Sequence, residues 1–99
     1  MFLAFGLLSL NAFAQDNKQL TNNIDGLSFY PNPVSSGKIY VTSKSGQDKE
    51  ITIFDVLGKK VLQTILTTKE LNVSMLSDGV YIIRFKEGDD TATRKLIIR

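Results

Sequence analysis

Val80-Tyr81-Ile82-Ile83-Arg84-Phe85-Lys86 decides the fold class. In an extended chain Tyr81, Ile83 and Phe85 fall on one side. Val80, Ile82, Arg84 and Lys86 fall on the other, a row that turns polar toward its end. Alternation at period two marks a strand with one face on a core, and β-branched and aromatic residues suit that pleated surface. Tyr81, Ile83 and Phe85 are therefore expected to be buried. Toward the C-terminus, Glu87-Gly88-Asp89-Asp90 reads as a turn into a last run, Thr93 to Ile98, with Leu96 and Ile98 on one side and Ile97 on the other. Toward the N-terminus, Ser77-Asp78-Gly79 reads as a turn after a short run, Leu71-Asn72-Val73. Before it come Lys60 to Leu66, with Val61 and Ile65 as core candidates, and Ile51-Thr52-Ile53.

Asp55-Val56-Leu57-Gly58-Lys59 joins those two runs as a hairpin turn. The Asp55 carboxylate is suited to accept turn N–H groups, and Gly58 to supply a positive φ. Further back, Lys38 to Thr42 follows the turn Ser35-Ser36-Gly37. Leu27-Ser28-Phe29-Tyr30 ends at Pro31 and Pro33, which donate no ladder hydrogen bond and hold their predecessors extended. Seven short strands at regular spacing, with no helical period of useful length, predict an all-β, seven-stranded antiparallel sandwich. Its expected core includes Phe29, Val41, Ile53, Val61, Val73, Tyr81, Ile83 and Phe85.

Ninety-nine residues allow one domain at most. Twelve basic against ten acidic residues leave a net charge of +2, and no basic run exceeds Lys59-Lys60 or Arg94-Lys95. A phosphate-tracking surface needs a clustered basic face, so nucleic acid is not an expected partner. The absence of Cys and His removes disulfides, thiol nucleophiles, Cys/His zinc sites and His-based general bases. A hydrophobic content of 42% is enough for a core and too high for a disordered tail.

All charged residues lie after Gln15. Before them an apolar run from Met1 to Leu10 leads into Asn11-Ala12-Phe13-Ala14. The run is too short to span a bilayer and fits a secretory signal peptide over residues 1–14, cleaved between Ala14 and Gln15, with Ala12 completing the small-x-small site. No Lys or Arg precedes the run, a departure from the usual basic start. Residues 15–26, mostly Asn, Asp, Thr, Gln and Lys, read as a polar linker. The domain proper is expected over 27–99.

Candidate chemistry is thin. Asp89-Asp90, with Glu87 nearby, reads as a solvated turn rather than a Ca²⁺ loop, which needs more oxygen ligands at defined spacing. Asp55 with Asp78 is a weak glycosidase pair, because each has a turn role of its own. Ser35-Ser36 lacks an activating base, and Tyr30, Tyr40 and Tyr81 read as core or rim aromatics. No catalytic, cofactor-binding or metal residues are expected, and the chain is not expected to be an enzyme. The structural turns are expected at Pro31, Pro33, Asp55, Gly58 and Gly79.

The end of the chain stands out. Leu96-Ile97-Ile98 lies between Lys95 and Arg99. An exposed edge is normally blunted by charge. Lys95 to Arg99 is therefore either a covered final strand with flanking charges or a strand offered to a partner.

Four phrases carry a family resemblance: Tyr30-Pro31-Asn32-Pro33-Val34, Ile51 to Val61, Leu76-Ser77-Asp78-Gly79-Val80-Tyr81 with the strand that follows, and Lys95-Leu96-Ile97-Ile98-Arg99. In order and spacing, from Leu27 to Arg99, they resemble the type A C-terminal sorting domain of the type IX secretion system; Arg99 stands where a Lys is commoner. The resemblance implies an immunoglobulin-like sandwich that is an address rather than a catalyst. It implies export by the Sec translocon to the periplasm. It then implies recognition by an outer-membrane translocon and its shuttle protein, removal by a sortase, and a product secreted or attached at the cell surface. Lys95, Leu96, Ile97, Ile98 and Arg99 are the expected recognition segment, the domain is expected to be a monomer, and no cofactor is implied. Only twelve residues lie between Ala14 and Leu27, which leaves almost no cargo. The competing reading is a free-standing adhesion or binding module at the cell surface.

Overall fold

The structure, a computed structural model, describes residues 23–99. Seven antiparallel strands form two sheets: β1 (Ser28–Tyr30), β2 (Lys38–Thr42), β3 (Lys49–Phe54), β4 (Lys60–Leu66), β5 (Glu70–Asn72), β6 (Gly79–Glu87) and β7 (Asp90–Ile98). One sheet has the order β1-β2-β5 and the other β4-β3-β6-β7. The signal peptide and its cleavage residues Ala12, Ala14 and Gln15 lie outside the described residues.

β6 holds the sandwich together, pairing with β3 on one side and β7 on the other. Its alternation is as the sequence predicts: Tyr81, Ile83 and Phe85 are buried, and Val80, Ile82, Arg84 and Lys86 are exposed. Ile39 and Val41 of β2, Ile51 and Ile53 of β3, and Leu96 and Ile98 of β7 complete the shared core. β6 and β7 are longer than the sequence pattern marks. A two-residue turn, Gly88-Asp89, joins them, with Gly88 at φ 59 in the first central position, where a II′ hairpin places glycine.

Three expectations are corrected. Ile65 is 60% exposed, whereas Leu66 is buried and Leu62 is half-buried against the core. The cause is a bulge: Ile53 faces Leu62 but Phe54 faces Lys60, so Val61 is an extra, half-buried residue. One inserted residue exchanges the two faces of a strand, so alternation read across it assigns the wrong side. Gly79 is not a turn residue; it opens β6, paired with Ile98. The preceding corner is held instead by Tyr81, whose hydroxyl donates to Ser77 O at 2.6 Å, the geometry of a tyrosine corner.

The third correction concerns the linker boundary, because Ile24 is fully buried in the core. A turn brings it there: Leu27 N donates to Ile24 O at 3.0 Å, and Lys44 N donates to Asp25 O at 3.0 Å. Gly26 lies in that turn with φ 69, and a Cβ there would stand 3.0 Å from the Lys44 nitrogen. One apolar residue in a polar stretch carries no period, so its burial has no signature in sequence. Of the expected core, Val41, Ile53 and Val73 are also buried, and Phe29 and Val61 are half-buried against it. Val73 lies just beyond β5, its N–H donating to Gly37 O at 2.8 Å.

Candidate functional site

β7 is the edge of its sheet, and its strand partner is β6. Even-numbered residues of β7 face inward: Ala92, Leu96 and Ile98 are buried. Odd-numbered residues have backbone groups directed to the open side, as the bonds of Lys95, Ile97 and Arg99 show. Ile97 N donates to Asn32 Oδ1 at 2.9 Å, and Asn32 Nδ2 donates to Lys95 O at 2.9 Å. Val34 N donates to Ile97 O, and Arg99 N donates to Val34 O, both at 2.8 Å. The Asn32 carboxamide thus imitates a peptide unit, and Val34 adds a real one through a parallel bridge to Ile98.

This answers the question left open at the chain end: the edge from Lys95 to Arg99 is covered. Of the two readings of the chain end, the covered final strand is the one the backbone bonds bear out. Pro31 and Pro33 flank Asn32, and both X–Pro bonds are cis. Two phrases more than sixty residues apart, Tyr30 to Val34 and Lys95 to Arg99, are therefore one structural unit. The sequence signalled neither the pairing nor the role of Asn32; prolines hold a segment extended without indicating what it lies beside.

Arg94 also protects this edge. It belongs to the inward row but is half-buried, and its guanidinium donates to Asn23 Oδ1 at 2.8 Å and Thr93 O at 2.9 Å. A charge pointing inward from an edge strand discourages pairing between molecules.

We expect Asn32→Ala to lower stability by about 1 kcal/mol, since it removes two exposed hydrogen bonds whose net worth is modest. Hydrogen exchange of the Ile97 amide should quicken selectively, while Leu96 keeps its protection. An unchanged Ile97 rate would refute the capping role.

The hairpin turn forms as read: Asp55 Oδ1 accepts from Leu57 N and Lys59 N, each at 2.9 Å, and Gly58 has φ 86. At the opposite end of the sandwich lies a group that sequence reasoning missed. Lys49 Nζ stands 3.0 Å from Glu87 Oε2, with the side chains only 5% and 8% exposed. Ser43 Oγ and Ser45 Oγ each donate to the Glu87 carboxylate at 2.7 Å, and Lys49 Nζ donates to Gln47 O at 2.7 Å. Burial pushes the Glu87 carboxyl up, but the hydrogen bonds from Ser43, Ser45 and Lys49 and the Lys49 charge outweigh it, so its pKa lies below the ordinary value. The cluster ties the loop 43–47 to the end of β6. Among the described residues no group of three acidic residues is placed to hold a metal ion.

Comparison with known proteins bears on the tail. No curated protein sequence matches the chain. Among solved structures it is similar to PorZ, an essential bacterial surface component of the type-IX secretion system of human oral-microbiomic Porphyromonas gingivalis. The identity is 18% over 75% of this chain, with a TM-score of 0.57. This match spans only 11% of the PorZ chain, and at such identity it speaks to the fold. The profile of the secretion system C-terminal sorting domain matches residues 28–99, from the first residue of β1 to the last of the chain. That span takes in both halves of the capped edge, and the chain belongs to the family of C-terminal sorting domains of the type IX secretion system.

Proposed function

We propose that this domain is a non-catalytic sorting signal that directs an exported protein across the outer membrane through the type IX secretion system. The family match over 28–99 is the observation that carries the reading. The strand order β1-β2-β5 and β4-β3-β6-β7, with the Tyr81 corner, supports an immunoglobulin-like sandwich. A type IX sorting domain belongs to a secreted, cell-surface or extracellular protein. The proposed route begins with the signal peptide and Sec, with cleavage after Ala14. It continues with capture of the folded domain by a shuttle protein and the outer-membrane translocon, and ends with removal by a sortase.

Lys95 to Arg99 is the proposed recognition segment. Deleting it would also remove the bonds to Asn32 and Val34 and so confuse recognition with folding. Substituting Lys95→Ala and Arg99→Ala together leaves those backbone bonds in place, and both side chains are exposed. The stability change should stay within about 0.5 kcal/mol.

The test inserts a fluorescent passenger between Ala14 and Gln15 in a bacterium with a type IX system. The wild-type passenger should leave the cell, and the double variant should accumulate in the periplasm. A wild-type passenger held in the periplasm would overturn the sorting reading and favour a free-standing adhesion module. Export of a folded double variant at the wild-type rate would move the address away from these two charges.

A further inference from the structure

Resting on the sorting reading, we infer that the outer face of the four-stranded sheet beside the chain end is the docking surface, and that it takes a protein surface apolar at its centre and acidic at its rim. The backbone of Lys95 to Arg99 is already bonded to Asn32 and Val34, so strand addition is closed along this stretch. Leu96 and Ile98 are buried. Within β7 the tail therefore presents only the outward side chains of Lys95 and Ile97.

These continue into neighbours by register. Val80 faces Ile97, Ile82 faces Lys95, and Phe54 faces Ile82. Lys95 and Ile97 direct their backbone groups away from β6, so their pairs with β6 are of the non-hydrogen-bonded kind, in which side chains approach most closely. Val80 is 42% exposed and Ile82 37%. Phe54 and Ile97 are half-buried beside them. The rest of this face on β3 and β6 is polar, with Glu50, Thr52, Arg84 and Lys86. This contiguous apolar group at one end of the face, next to the family's terminal phrase and separated by polar residues from the lone exposed Ile65 of β4, marks an interaction site rather than scattered surface apolarity.

Charge selects the occupant. Arg84 lies over the Phe54 ring, 5.2 Å from its centre, and Lys95 stands beside Ile82. Neither has a carboxylate partner among the described residues, whereas Lys86 lies directly opposite Glu50. A second copy would bring the same cationic rim against this one. An acidic rim on a different protein complements it and excludes wrong partners.

The test uses the passenger inserted after Ala14. Val80→Thr with Ile82→Thr keeps β-branching while removing apolar surface; Arg84→Glu with Lys95→Glu reverses the rim. Each pair should keep the wild-type thermal midpoint within a few degrees and cut export at least tenfold. Ile65→Thr, on the far strand of the same sheet, should export normally. A wild-type passenger that fails to leave the cell overturns the sorting reading and this inference with it. Wild-type export together with undiminished export of either folded pair overturns the surface alone. If the threonine pair does not fold, the charge-reversed pair decides. A wild-type chain that sediments as a dimer, with the threonine pair monomeric, overturns the acidic partner in favour of a second copy.

Discussion

Truncation of Phe85 to alanine should lower the unfolding free energy by about 4 kcal/mol, within the usual range for a buried phenylalanine. Phe85 is fully buried in β6, between Ile51 of β3 and Ala92 of β7. Its ring lies 5.5 Å from that of Phe29 at an interplanar angle of 44°, so it joins the two sheets across the core. Ala92 is too small to fill the space, and both neighbouring strands are held by their own ladders. A cavity would remain rather than collapse. Urea unfolding measures the loss, and Arg84→Ala is the internal control, one residue away but facing outward. That control should cost under about 1 kcal/mol. A Phe85 loss no larger than the control would show that the two faces of β6 are interchanged.

The second large effect lies at Glu87. Glu87→Ala should cost about 3 kcal/mol at neutral pH, because it leaves the Lys49 ammonium buried without its counter-charge. Replacing both residues, as Lys49→Met with Glu87→Leu, should recover most of that loss, because neither charge then remains buried. The hydroxyls of Ser43 and Ser45 lose their acceptor in either case, but Ser45 is exposed and Ser43 half-exposed, so water can replace it.

The pH dependence has a definite sign. The folded pKa of Glu87 is depressed, so below the ordinary carboxylate value the unfolded chain binds more protons than the folded one. The contribution of the ionised group is complete above about pH 4.3, the ordinary glutamate value, and is lost as pH falls through the folded pKa. Stability of the wild type and of Glu87→Gln should therefore converge on acidification below pH 4. A difference independent of pH across that window would remove the ionised Glu87 from the account.

β6 shows how much of this fold was legible in sequence. From Val80 to Lys86 no insertion interrupts the strand, the alternation is strict, and the assigned faces are correct along all seven residues. The turns at Asp55 and Gly58 were equally legible, because a carboxylate accepting nearby N–H groups and a glycine at positive φ are local devices. β4 shows the opposite case. Its apolar residues suggest one face, but the bulge at Val61 moves Leu62 and Leu66 inward and leaves Ile65 in solvent. A bulge is decided by which partner residues a strand meets, and alternation carries no record of that.

The same division runs through the candidate site. The sequence alone determined that Lys95 to Arg99 is an apolar strand between charges and that Pro31 and Pro33 hold an extended segment, since both follow from side-chain chemistry and backbone restriction within a few residues. Only the tertiary structure decided that Asn32 and Val34 close the edge of that strand, that Lys49 meets Glu87, and that Ile24 belongs to the core. Each of these depends on contacts between residues far apart in the chain. Folding brings such residues together because burying the faces of both sheets leaves one compact arrangement, and no local period or propensity encodes which distant groups then become neighbours.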